Sequence, residues 1–292
     1  MTENTYKITT ESACDLSLEL LTQKGVLAYP MQCTIDGETF IDEMTEESFQ
    51  EFYRLIRAGG TATTSQVNPN SFVEFWEPLA KAGTPVLHIS LAAAISGTCA
   101  NASIAADLLR EQYPGWDCRV VDSKDASAGF GLMVLRAVDN RDAGMGLHEN
   151  ADELESIAHH VHALFTTSDL NALYRGGRVS RTAAAFGTAL NIIPIMHLDY
   201  EGHLEVWQKV RGEKQCRTRY VKAIQNLVQD PGSQTLIISE ADNLPKAKEY
   251  GEMLKKEVGF ADVFYTHIGP TIGAHTGPGL ISIFFVGKER EK

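Results

Sequence analysis

Residues 84–123 hold the pattern that most narrows the fold: an apolar run, TPVLHISL, then the small-residue and amphipathic stretch ISGTCANASIAADLLREQYPG, then a second apolar run, CRVVDS. Short continuous apolar runs read as strands buried on both faces, and a helix between two of them is the crossover that parallel pairing requires. The preceding segments keep the alternation. YKITT (6–10) reads as a strand entering ESACDLS, where Ser12 and Asp15 are placed to cap a helix, SLELLTQKG, that ends at Gly25. VLAYPMQCTIDG reads as one strand that turns at Asp36-Gly37 into ETFID. TEESFQEFYRLIRAGG opens on a Thr-x-x-Ser near-match to a capping box and stops at paired glycines, so it reads as a helix. SFVEFWEPLAKAG is another helix, following the polar loop TATTSQVNPN. The expectation is an α/β fold whose first domain is a mainly parallel sheet with flanking helices.

Near residue 164 the texture changes. FTTSDLNALYRGGRVSRTAAAFGTALN precedes IIPIMHLDYEGHLEVWQKV, in which Glu201-Gly202 joins two strand-like runs. TLIISEA and DVFYTHIG bracket the helical KAKEYGEMLKKEV, and ISIFFVG closes the chain as a buried strand. Two α/β domains are expected, 1–163 and 164–292, the second a mixed sheet with helices. A chain of 292 residues with 43% hydrophobic content has enough apolar surface for both cores.

Bulk chemistry removes several classes of function. With 26 Lys and Arg against 38 Asp and Glu the net charge is −12. That balance opposes nucleic acid as a partner and leaves at most transient membrane contact, because both anionic surfaces demand local Lys or Arg. Cysteines 14, 33, 99, 118 and 216 are odd in number and contain no Cys-x-x-Cys pair, which suits reduced thiols rather than a disulfide framework or a zinc site. MTENTYKITTES lacks the apolar core of a signal peptide, and no run approaches the roughly 18 residues of a membrane span, so a cytoplasmic location is expected. In HHVH, His159 and His162 read as one helix face, without the Cys or carboxylate companions of a metal site. No Gly-x-Ser-x-Gly elbow, phosphate-cradling Gly-x-x-x-x-Gly-Lys-Ser/Thr loop or dinucleotide fingerprint occurs.

Ligands of open α/β sheets bind at the loops that leave the strands. Thr64, Ser65 and Gln66 offer hydroxyl and N–H groups to an oxygen-rich ligand, although a capping loop before Pro69 explains the same letters. Ser96, Gly97 and Thr98 follow PVLHISL and open a helix whose unpaired N–H groups attract an anion, with plain N-capping as the alternative. Asp122 heads a third loop with Ser123, Ser127, Gly129 and Gly131, and reads as a supporting residue that orients a neighbouring loop. Tyr174–Ser180, YRGGRVS, suits a carboxylate, a phosphate or an acidic protein surface, or else a solvated helix end. IGPTIGAHTGPG (268–279) places four glycines, two prolines and His275 between two apolar stretches. It reads as a loop whose glycines give clearance and whose histidine is its polar handle.

Taken in order, SACDLS, TTSQVNP, ISGTCANA, VVDSKDASAGFG, LYRGGRVS, NIIPIM and IGAHTGPG resemble the DegV family of bacterial fatty-acid-binding proteins over nearly the whole chain. The resemblance implies two α/β domains with a long-chain fatty acid between them, its carboxylate at the hydroxyl-bearing loops and its tail in an apolar tunnel. It further implies carboxylate contacts from Thr64, Ser65 and Ser96, with His275 in the same network. Gly97, Thr98 and Asp122 support them, and Arg178 is a site-proximal or partner-contact residue. Because the family includes the acyl-carrier subunit of a two-part fatty acid kinase, the implied role is non-catalytic. A cytoplasmic monomer would present its fatty acid to a separate ATP-dependent kinase subunit for acyl-phosphate formation, serving phospholipid metabolism, with no metal or cofactor beyond the lipid. Two alternatives stay open: a serine hydrolase acting on acyl esters through Ser96 or Ser65 with His275, and a lipid-responsive regulatory or storage protein with no kinase partner.

Three departures from the family pattern stand out. Thr10-Glu11-Ser12 replaces the common Thr-Asp-Ser; LAAAI precedes SGT in place of a serine-rich run; and Ile193 occupies the position before Pro194 where a lysine is frequent. The first two bear on headgroup geometry, and the third removes a positive charge.

Overall fold

The buried runs of the first half lie side by side in the computed structural model, which describes residues 6–167, 170–179 and 191–292. Strands β1 (Lys7–Glu11), β2 (Leu27–Tyr29), β6 (Val86–Ser90) and β7 (Cys118–Asp122) form a wholly parallel sheet in the order β2-β1-β6-β7. Every residue of β6 is buried, as a strand covered on both faces must be. The covering helices are α3 (Pro69–Lys81), α4 (Thr98–Gln112), α5 (Ala128–Asp142) and α6 (Leu147–Ile157). Ile8, Trp76, Leu87, Ile89 and Phe130 are fully buried in the core they share.

Three local readings need correction. Pro30 splits VLAYPMQCTIDG, so that Leu27–Tyr29 joins the parallel sheet while β3 (Gln32–Ile35) starts another. Pro30 has no N–H to give to a ladder, and it sits where the chain passes from one sheet to the other. With β3 go β4 (Glu38–Ile41) and β5 (Ala62–Thr64) in a small antiparallel sheet, order β4-β3-β5, so part of the expected polar loop TATTSQVNPN is a strand. Helix α1 (Leu18–Gln23) is capped by Ser17, whose Oγ accepts the Leu20 N–H at 3.2 Å, and not by Ser12 or Asp15. Ser12 instead accepts the Met31 N–H at 3.1 Å, and Asp15 takes a left-handed conformation, φ 53°. Thr45 caps α2 (Glu46–Arg57) as read, accepting the Ser48 N–H at 3.2 Å.

The second half builds a mixed sheet in the order β10-β9-β8-β13-β11-β12 from β8 (Val161–Thr166), β9 (Ile192–Leu198), β10 (Leu204–Arg211), β11 (Thr235–Glu240), β12 (Asp262–His267) and β13 (Ile281–Val286). Only β11 and β12 pair in parallel. Among the described residues this half also holds the helices α7 (Leu170–Arg175), α8 (Glu213–Leu227), α9 (Leu244–Val258) and α10 (Pro270–Thr276). The 163/164 division expected from the sequence falls inside β8, a strand that belongs wholly to this sheet. HHVH is therefore not a helix: His159 sits in the turn and His162 in β8, its Nε2 2.7 Å from the Lys288 carbonyl. Among the described residues no cluster of His, Cys, Asp and Glu is suited to a metal, and no helix is long and apolar enough to cross a membrane. All five cysteines are buried and unpaired.

Helix α5 wedges the two sheets together, and its small residues make this possible. A Cβ on Gly129 would stand 2.1 Å from Asp125 Oδ1 and 2.8 Å from Phe284, and one on Gly131 would stand 2.6 Å from the Cys14 carbonyl. The seam is also tied by Tyr53, which donates to the Ile268 carbonyl at 3.0 Å, and by His267, which lies between two acids. Its Nε2 is 2.7 Å from Glu46 of α2 and its Nδ1 2.5 Å from Glu240 of β11, while its ring stacks on Phe49 at 4.0 Å. Burial alone would lower the His267 pKa, but Glu240 and Glu46 outweigh it and raise it. A raised folded-state value means that the clamp's stabilisation is complete below the unfolded pKa near 6.5 and fades as pH rises through the folded one. His267→Gln should thus lower the melting temperature more at pH 6 than at pH 9; equal losses at both would contradict a charged clamp.

Candidate functional site

Strands β1, β6 and β7 end on one edge of the parallel sheet, so the loops that follow face the second sheet together. Between the sheets runs a mainly apolar channel enclosing about 780 Å³ of space between protein atoms, mouth included. Leu91, Ile95, Phe165, Leu173, Ile272 and Phe284 are among its walls. Thr64, Ser65, Gln66, Ser96, Arg178 and His275, all singled out from the sequence, line it as well.

His275 reaches the channel from a helix, where the sequence suggested a loop. Pro270 presets the first helical turn, the Gly269 N–H is taken by Asp15 Oδ1 at 2.9 Å, and Gly277 ends the helix at φ 68°. Its high glycine content hid the helix, and Gly273 explains that content in part. A Cβ there would be 2.6 Å from the Phe52 ring and 2.7 Å from the Tyr53 hydroxyl. Gly176 plays the matching part opposite the imidazole, since its Cβ would meet His275 Nδ1 at 2.1 Å. Both segments have glycine where a side chain would push the histidine away.

Thr64 Oγ1 and His275 Nε2 are 2.7 Å apart, and His275 Nδ1 is buried with no hydrogen-bond partner. A bare lone pair there costs less than an unpaired N–H, so the proton belongs on Nε2, donating to Thr64. The Thr64 hydroxyl hydrogen is then available to an anionic oxygen. Burial, and secondarily the Arg178 guanidinium, push the His275 pKa down to about 4.

Ser96 lines the same channel. Its Oγ donates to Thr98 Oγ1 at 2.9 Å and accepts the Thr98 N–H at 3.2 Å, while Thr98 Oγ1 accepts the Val67 N–H at 3.3 Å. Thr98, fully buried and off the channel, thereby joins the two hydroxyl loops. Gly97 leaves room for Gln66, whose Oε1 would be 1.9 Å from a Cβ. Asp122 also stands off the channel and accepts the Ala93 and Lys124 N–H groups, each at 3.0 Å. Arg178 is half-buried, donates Nε to the Ile95 carbonyl at 3.1 Å and a terminal nitrogen to the Gly176 carbonyl. Ser180, the last residue of the YRGGRVS stretch, lies outside the described residues. Ile193 pairs with Val210 in β9 and packs on the second core, away from the channel.

The sequence reading missed how Asp15 is used. Its Oδ2 accepts the Ser127 hydroxyl at 2.5 Å, which leaves the Ser127 oxygen to accept from the Ser239 hydroxyl, 3.2 Å away. Ser127 holds φ 56°, ψ −145°, a conformation costing about 1–3 kcal/mol for a residue with a side chain. Thr64, Arg178 and His275 line both the channel and an outer cleft bordered by Gly60, Thr61, Gly176 and Gly277, so the polar cluster can be approached from outside.

Fold and site together define a class: a two-sheet α/β protein whose seam encloses an apolar channel with a histidine, an arginine and hydroxyls grouped in its wall. A family model described as "Uncharacterised protein, DegV family" matches residues 5–288. The chain belongs to the DegV family. A DegV domain-containing protein of Clostridium perfringens is 32% identical over 287 residues, covering 98% of this chain and 99% of that one. A solved DegV family protein from Thermus thermophilus, described for its fatty acid binding, is 28% identical with a TM-score of 0.82, covering 97% of this chain and 99% of its own. DegV of Bacillus subtilis, described as a fatty acid binding protein, is 25% identical with a TM-score of 0.82 and the same coverage.

A folded-state pKa below the unfolded one makes His275 neutral throughout the ordinary range, and stability falls as pH drops from about 6.5 toward 4 while the unfolded chain alone takes up the proton. Its imidazole NMR resonance should titrate near pH 4; a midpoint at 6.5 would contradict the buried, Arg178-facing environment.

Proposed function

We propose that the chain binds one long-chain fatty acid, with the acyl tail along the channel and the carboxylate at Thr64, Ser65, Ser96 and His275. The observation that carries this reading is the Thr64–His275 pair set in the wall of a mainly apolar channel, beside Arg178. A carboxylate buried without donors is strongly disfavoured, so the ligand's head must lie where hydroxyls and a cation gather. The tail supplies affinity: at about 0.8 kcal/mol per methylene, a 16-carbon chain contributes on the order of 10 kcal/mol before ordering costs. The fatty acid binding described for the Thermus and Bacillus proteins supports the same ligand class.

The finer reading is a carrier that presents its carboxylate to a separate kinase subunit for acyl-phosphate formation. It is supported by the outer cleft that shares Thr64, Arg178 and His275 with the channel, and by the absence of a phosphate-cradling motif from the sequence. A hydrolase using Ser96 or Ser65 with His275 is less well supported, because Nε2 of His275 faces Thr64 and its Nδ1 faces Gly176.

Ser96→Ala combined with His275→Ala tests the division between head and tail. With a fatty acid kinase subunit and ATP added, acyl-phosphate formation should fall on the order of 100-fold, as losses of oriented donors do. Palmitate uptake should fall less than about tenfold, because the tail contacts remain. Loss of all bound lipid from a folded double variant would make the head the affinity determinant and overturn this division. Phosphorylation of lipid by the purified chain alone would overturn the carrier reading.

A further inference from the structure

Glu11, at the end of β1, is completely buried, and its carboxylate gathers three donors. Oε1 accepts from His88 Nε2 at 3.0 Å and from Ser90 Oγ at 2.6 Å, and Oε2 accepts the Leu91 N–H at 3.2 Å. Behind it, Trp76 Nε1 donates to Thr9 Oγ1 at 3.3 Å, and Thr9 Oγ1 meets His88 Nδ1 at 3.0 Å. The donors therefore run in one direction, Trp76 to Thr9 to His88 to Glu11, with every member buried. The aromatic rings of Phe72 and Trp76 pack against the His88 imidazole at 5.3 and 5.0 Å and hold it in place.

This chain of bonds ends on the backbone of the segment that carries Ser96. Leu91–Ser96 has few side chains able to fix its own shape, being Leu-Ala-Ala-Ala-Ile-Ser. Its backbone is fixed from outside instead. Leu91 N–H goes to Glu11, Ala92 N–H to the Asp125 carbonyl at 3.0 Å, Ala93 N–H to Asp122 at 3.0 Å, and the Ile95 carbonyl to Arg178 Nε. The Ile95 and Ser96 N–H groups close on the Ala92 carbonyl at 3.1 and 3.2 Å. A binding group on a loop is only as precise as the shell that holds the loop, and here the first hold is Glu11.

We infer that Glu11 is a positioning residue of the headgroup site: through Leu91 it sets where the Leu91–Ser96 loop leaves the sheet, and thus where Ser96 meets the ligand. The inference rests on the reading of Thr64, Ser96 and His275 as a carboxylate site. It gives the Glu11 and LAAAI departures, separate in the sequence, a single physical link in the Leu91 hydrogen bond.

The two ways of changing Glu11 separate geometry from charge. Glu11→Asp keeps the charge but withdraws the carboxylate by about 1.3 Å, one methylene, so it cannot hold both Leu91 and the His88–Ser90 pair. Glu11→Gln loses the charge, yet its amide can turn its oxygen to Leu91 while its NH2 faces His88 as an acceptor. The measurement is the carboxyl resonance of bound [1-13C]palmitate, followed with pH, together with the rate of palmitate exchange and the near-UV circular dichroism of each variant. Glu11→Asp should raise the apparent carboxylate pKa by about one unit and speed exchange about fivefold or more, and Glu11→Gln should recover most of the unsubstituted behaviour. Overturning results are a Glu11→Asp protein with carboxylate pKa and exchange rate unchanged, or a Glu11→Gln protein disturbed as much as Glu11→Asp. Should Glu11→Asp not fold, Ser90→Ala, which removes one donor to the same carboxylate, takes its place with the same readout, expectation and overturning result. If the unsubstituted protein gives no bound carboxyl signal, the carboxylate reading itself fails, and the inference with it.

Discussion

Thr64 Oγ1 and His275 Nε2, 2.7 Å apart, join an edge strand of the small sheet to the last helix of the second half, and the channel's polar wall is built around that bond. For it to exist, α10 must enter the seam closely enough that glycine alone is tolerated at 273 against Phe52 and Tyr53, and at 176 against the imidazole. The Asp15 carboxylate must also receive the Gly269 N–H, which fixes where the helix starts. The apolar walls take no part in this bond, but by excluding water they keep His275 neutral and strengthen each polar contact it makes.

Head and tail of the proposed ligand place different demands on the protein. A tail needs apolar surface of about the right width, which two packed sheets with a glycine-bearing helix between them provide without fine adjustment. A head needs donors fixed to within a fraction of an ångström before the ligand arrives. Thr9, Glu11, His88, Ser90 and Thr98, in and around β1, β6 and their loops, are hydrogen-bonded at zero exposure, the kind of fixed shell that such a head would need.

Much of this was legible in the sequence, for physical reasons that differ by region. The parallel sheet was legible because VLHIS and CRVVD are continuous apolar runs and only doubly covered strands look like that. Helix α2 was legible from its cap. Residues read as site candidates, Thr64, Ser65, Ser96, Arg178 and His275, do share one channel wall. What escaped depends on contacts distant in the chain. Helix α10 has a composition that forbids a helix prediction, and its glycines make sense only once Phe52, Tyr53 and Gly176 are beside it. Strand β5 is polar because it lies at the edge of a three-stranded sheet. Asp15, read as a cap, spends its two oxygens on Ser127 and Gly269, 112 and 254 residues away, and no local pattern announces such bonds.

Native mass spectrometry of the protein as purified tests the central claim most directly. The account predicts a folded species heavier than the bare chain by the mass of one long-chain fatty acid, released intact on denaturation. A protein that carries no fatty acid as purified and takes up none when palmitate is offered would contradict it.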